Sequence, residues 1–155
     1  MTVNNGASLN TVRPEVLEAV VGCQVRVMTV SIDGATQESC EKYRVRGKLD
    51  AVLGTVARIN AQKRLMQSQA PHLRWQFVVF GHNEHGTGTA WAMAESLGME
   101  FVPKLSWSGS FSPVQDEAAV RRAMPRGAAN REEFRERVGL NYVGGSATSC
   151  GTARR

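Results

Sequence analysis

Cysteine is scarce in this chain and poorly placed for metal. The 155 residues include three, Cys23, Cys40 and Cys150. None stands at C-x-x-C or C-x-x-x-C spacing from another, so no metal or iron–sulfur site can be read locally. A scattered, odd set in a cytosolic protein also argues against a disulfide framework. Cys23 and Cys40 read as small buried residues near element ends. Long hydrophobic runs are missing as well. No apolar stretch approaches the roughly 18–20 residues needed to cross a bilayer, so no membrane partner is expected. The segment from Met1 to Leu9 has neither a basic nor an apolar region, so no secretory signal is read and the cytoplasm is the expected compartment. Aromatics are 6% of the residues and do not alternate with a basic stripe. The formal net charge is +5, but Arg121, Arg122, Arg126, Arg154 and Arg155 carry much of it. That pattern is ordinary solvated charge, and no nucleic-acid partner is expected. A repeat of fixed period is absent. So are G-x-G-x-x-G and P-loop sequences, which counts against a common nucleotide-binding α/β protein.

What the chain does contain is the composition of a globular domain, with 42% hydrophobic and 21% charged residues. Residues 13–21 read as a short helix, with Pro14 in the first turn, Glu15 at the positive end of the dipole and Gly22 as a stop. Val25 to Ser31 is mostly apolar and β-branched on consecutive positions, the pattern of a strand buried on both faces. Residues 37–44 suit a short helix capped by Thr36. Leu49, Val52, Leu53, Val56, Ile59 and Asn60 recur at helical spacing and predict an amphipathic helix over about 48–67. Leu73 to Phe80 is the strongest strand. Glu84 to Leu97 reads as a helix weakened by Gly86 and Gly88 and stopped by Gly98. Met99 to Leu105 is a further strand, in which Pro103 signals a bulge, an edge or an early end. Residues 114–124 and 131–138 read as helices, and the small, polar, basic stretch 144–155 as disordered. With a short strand at residues 2–4, the order is β/α repeated. That predicts an α/β fold with a parallel sheet and outer helices over 1–112, a helical extension over 113–143, and a disordered tail over 144–155.

In such folds ligands gather where strands end. Asn5-Gly6 is a common turn pair. At Ser31-Ile32-Asp33-Gly34 a hydroxyl and a carboxylate emerge together, either to hold a ligand hydroxyl or ammonium or simply to make a strand-ending turn. His82 and His85 are i, i+3 across a turn, not the i, i+4 of helical zinc sites, and Asn83 looks like an N-cap. Lys104 could neutralise a phosphate or carboxylate, or be a solvated lysine. Trp75 and Trp107 suit packing better than a substrate platform.

These blocks together resemble a known family. Val27-Met28-Thr29-Val30-Ser31-Ile32-Asp33-Gly34-Ala35-Thr36-Gln37-Glu38, followed by Lys42-Tyr43-Arg44, Gly47 and an amphipathic helix, is similar to the fourth β/α unit of radical S-adenosylmethionine (SAM) enzymes. Those that carry a SPASM extension are the nearest match. Asn4-Asn5-Gly6 resembles the end of the third strand. Trp75 to Asn83-Glu84, then Ala94-Glu95-Ser96-Leu97-Gly98-Met99-Glu100-Phe101, resembles the fifth unit and the entry to the sixth strand.

The resemblance implies part of a TIM-like partial barrel, about strands three to six. It implies SAM and a 4Fe-4S cluster that cleaves it reductively to start radical chemistry on a peptide or small-molecule substrate. It assigns Ser31, Asp33, Arg44 and Asn83 to cofactor binding. Ser31 would contact SAM, Arg44 would pair with its carboxylate, Asp33 would shape the loop, and Asn83 would reach the nucleoside side. The cysteine loop that holds the cluster and the auxiliary cysteines are absent from this sequence. The expectation is therefore a truncated polypeptide, inactive alone, with an exposed strand edge open to a partner chain. The alternative is a non-catalytic binding or interaction module that keeps the scaffold.

Overall fold

Apolar residues alternate with polar ones along the central strands, and that alternation divides the sheet into two unlike faces. The computed structural model describes residues 2–5, 9–106, 110–123 and 132–133. The strands are β1 (Thr2–Asn5), β2 (Val27–Ser31), β3 (His72–Val79) and β4 (Glu100–Leu105). All neighbours pair in parallel, in the order β1-β2-β3-β4. The helices are α1 (Pro14–Gly22), α2 (Gln37–Glu41), α3 (Leu49–Leu65), α4 (Thr87–Ser96) and α5 (Glu117–Ala123).

Each crossover steps one strand along in the same direction. Right-handed crossovers, the rule for parallel units, then place the helices on one side of the sheet. The core agrees: Met28, Val30, Leu73, Trp75, Phe77 and Val79 from the strands share one cluster with Leu17 and Val21 of α1, Val56 and Ile59 of α3, and Ala90 and Ala94 of α4. Trp75 and Phe77 are fully buried there. Each contributes on the order of 1.5–3 kcal/mol through area removed from water. The opposite face carries Thr29, Ser31, Arg74, Gln76, Glu100 and Lys104, all half-buried or exposed. The expectation that the 25–31 strand is buried on both faces is therefore corrected. Among the described residues this singly wound sheet has helices to cover only one face.

Local signals explain the element ends. Pro14 occupies the first turn of α1, as predicted. Cys23 caps that helix but is exposed, not buried as its apolar character suggested. Gln24 then takes a left-handed φ of 50°, so β2 begins at Val27 rather than Val25. Thr36 caps α2, and its hydroxyl and that of Ser39 complete a reciprocal capping box. The predicted 48–67 helix is α3, tied to the end of α4 by Asn60 Nδ2 donating to Leu97 O at 2.7 Å. The segment expected as one helix from Glu84 starts as a 3-10 turn over Glu84–Gly86 and becomes α-helical only at Thr87. Gly98, at φ +64°, ends it as predicted. Pro103 sits on β4, a strand with one neighbour among the described residues, where a missing N–H is tolerated.

The chain after β4 folds back over the strand ends. Ser112 O accepts from Gly81 N at 2.8 Å. Glu84 accepts from Gln115 N and Asp116 N at 2.9 and 3.1 Å. Val120 of α5 is buried in the same core. Trp107, most of the helix predicted at 131–138 and the tail at 144–155 lie outside the described residues.

Candidate functional site

The carboxyl ends of β2 and β3 are joined by one buried polar network. β2 ends at Ser31, and Ile32 N still donates to Gln76 O at 3.0 Å. Asp33 follows with 0% exposure. Its Oδ1 accepts from Val78 N at 2.7 Å and its Oδ2 from Arg44 Nε at 2.6 Å. Arg44 reaches back from beyond α2, with 25% of its side chain exposed. Asn83, also buried, closes the network. Its Oδ1 accepts from Phe80 N at 2.7 Å, and its Nδ2 donates to Asp33 O and Val78 O, each at 2.9 Å. Asn83 does occupy the N-cap position of the Glu84–Gly86 turn, as expected, but its side chain bonds no N–H of that turn. It ties two strand-end loops together, since buried carbonyls need donors.

Backbone packing holds this loop in shape. A Cβ on Gly34 would overlap the backbone nitrogen of Cys40, so α2 can seat against the loop only when residue 34 is glycine. An aromatic group covers the outside. Tyr43 lies 4.6 Å from Phe80 and 5.8 Å from Phe111, ring centre to ring centre. His82 stacks on Phe80 at 5.2 Å, and its Nδ1 meets Ser112 Oγ at 2.9 Å. The Arg44 guanidinium lies 5.5 Å from the centre of the Tyr43 ring.

Burial decides the electrostatics. It pushes the Asp33 carboxyl up from the ordinary range, and the Val78 N–H and Arg44 offset this only in part. Burial likewise raises the Cys40 thiol, so that sulfur is not an activated nucleophile. His82 is pushed down, chiefly by burial and then by Lys42. Its buried Nε2 has no hydrogen-bond partner among the described residues.

No known protein family, curated protein or solved structure matches this chain.

Of the residues singled out from sequence, Asp33, Arg44 and Asn83 come together in the network. Ser31 belongs to a different group, on the sheet face that the described helices do not cover. Its Oγ accepts from Gln76 Nε2 at 3.3 Å, and Gln76 Oε1 accepts from Lys104 Nζ at 2.7 Å. Lys104 is legible in the sequence from its place at a strand end, whereas Gln76 carries no strand-end signal. The available signal was its polar side chain in the alternating run Leu73 to Val79.

The residues can be tested against the groups the resemblance implies. Among the described residues no set of three His, Cys, Asp or Glu side chains is placed to hold a metal. For SAM the fit is partial. Asp33 and Asn83 use their polar atoms on the protein, while the Ser31 hydroxyl and the pinned Arg44 guanidinium lie at the end of β2.

Proposed function

We propose that this chain is a SAM-holding portion of a radical SAM-type barrel, a scaffold that positions the cofactor and does not itself activate it. The observation that carries the reading is the folding of the Ser31-to-Arg44 block. It forms an interlocked loop at the carboxyl end of a singly wound parallel sheet, the position where α/β folds bind ligands. In this reading Ser31 and Arg44 face the amino-acid end of SAM, and Asp33 and Asn83 hold the loop that presents them. A cluster held by residues outside this sequence would supply the electron for reductive cleavage of bound SAM. A second reading, a non-catalytic interaction module, draws support from the commitment of Asp33 and Asn83 to internal bonds.

Isothermal titration separates the two. The scaffold reading expects SAM to bind, and Ser31→Ala or Arg44→Met to weaken it about tenfold, the value of one hydrogen bond to a charged group. No heat of binding up to about 1 mM SAM, an affinity near 4 kcal/mol, would leave the interaction module standing. Stoichiometric iron binding with SAM cleavage by the chain alone would overturn both.

A further inference from the structure

The sheet face that the described helices leave uncovered is electrostatically lopsided along the strand direction. At its amino end the charges are matched: Glu100 Oε2 takes both His72 Nε2 and Arg74 Nε at 2.7 Å. At its carboxyl end Lys104 has no carboxylate within 4.0 Å among the described residues, and its Nζ rests on the neutral Gln76 amide. That contact orients Gln76. With Oε1 accepting from Lys104, its amide nitrogen points along the face to Ser31 Oγ, which accepts. The Ser31 proton is thereby turned away from Gln76. The hydrogens left over are donors from a hydroxyl, an amide and an ammonium, contributed by β2, β3 and β4.

We infer that Ser31, Gln76 and Lys104 form a subsite for an oxyanion, the carboxylate or phosphate of a ligand lying across the open face. A row of donors with one positive charge and no carboxylate among its members favours an anion over a cation. The carboxyl ends of parallel strands are where such a ligand docks. The competing role for Lys104 is that of an edge-strand guard against sheet-to-sheet pairing. That role requires neither the contact with Gln76 nor the onward bond to Ser31. The subsite shares Ser31 with the proposed SAM site and so deepens that reading, but its test uses phosphate and acetate without SAM, so failure of SAM binding and failure of this subsite are read separately.

The test is an NMR titration of the isotope-labelled full chain with sodium phosphate and, separately, sodium acetate, with chloride holding ionic strength constant. The expected result is a saturable shift of the Gln76 side-chain amide and of the Ser31 and Lys104 backbone amides. Lys104→Met should weaken that binding at least about tenfold, the loss of one charged hydrogen bond, while Lys104→Arg and the control Lys42→Met keep it. Tighter binding of acetate identifies a carboxylate ligand, and tighter binding of phosphate a phosphorylated one. Shifts that fail to saturate, or that persist in Lys104→Met, overturn the inference. If Lys104→Met does not fold, the wild-type titration decides alone, and the absence of a saturable shift overturns it.

Discussion

Removing Asp33 and removing Arg44 should have unequal costs, and removing both should cost little more than removing Asp33. Asp33→Asn keeps an oxygen for the Val78 N–H but sets an amide against the Arg44 Nε–H, which sits 2.6 Å from the present carboxylate. A hydrogen bond to a charged group is worth about 1.5–3 kcal/mol. The lower part of that range applies, because Arg44 is 25% exposed and can recover water, and because burial already disfavours the Asp33 charge. We expect a loss of about 1–2 kcal/mol. Arg44→Met instead strands a carboxylate at 0% exposure with only the Val78 N–H. Breaking a fully buried pair this way costs about 3–5 kcal/mol, reduced here to about 2–3 because Asp33 can take up a proton. In the double variant no charge is stranded, so its loss should stay near about 1–2 kcal/mol, which implies a coupling of about 2 kcal/mol. The cycle cancels whatever else Arg44 does. The assay is urea unfolding at pH 7 followed by tryptophan fluorescence, with Trp75 as the buried reporter. The pH dependence has a definite sign. A raised carboxyl contributes stability that is present below its ordinary pKa and lost as pH rises through its folded value, so the Arg44→Met deficit should shrink toward pH 4. Losses that add within about 0.5 kcal/mol would refute the argument, since independent sites add to that accuracy.

The loop's glycine gives a sharper contrast. Gly34→Ala should destabilise by about 3 kcal/mol through overlap with the Cys40 backbone, while Gly88→Ala, whose Cβ meets nothing within 4 Å, should stabilise α4 by about 0.5–1 kcal/mol. Thermal unfolding reads both, and a neutral Gly34→Ala would mean that the loop is looser than described. His82 carries a pH signature of opposite sign to that of Asp33. Its lowered pKa means that stability is lost as pH falls from 6.5 through the folded value, and His82→Phe should flatten that limb of the melting-temperature profile. An unchanged slope in His82→Phe would assign the limb to other groups.

The sequence by itself determined the elements and many of their ends. Helical spacing located α3, Pro14 and Thr36 marked helix starts, Gly98 marked a stop, and the apolar run Leu73 to Phe80 marked the central strand. Those signals act within a turn or along one strand, so neighbouring residues are enough to read them. The Ser-Ile-Asp-Gly to Tyr-Arg block also contains two members of the buried network, Asp33 and Arg44. Only the tertiary structure decided which face of the sheet is covered, because that depends on every crossover stepping the same way. It also decided that Asp33 bonds to Val78, 45 residues on, and Asn83 to Asp33, 50 residues back. Asn83 looked like a local cap because asparagine often is one. Burial between two loops gave its amide carbonyls to satisfy instead. The Ser31–Gln76–Lys104 row has the same origin: no two of its members are near in sequence, strand register sets Ser31 beside Gln76, and Lys104, opposite Val78, reaches Gln76 diagonally.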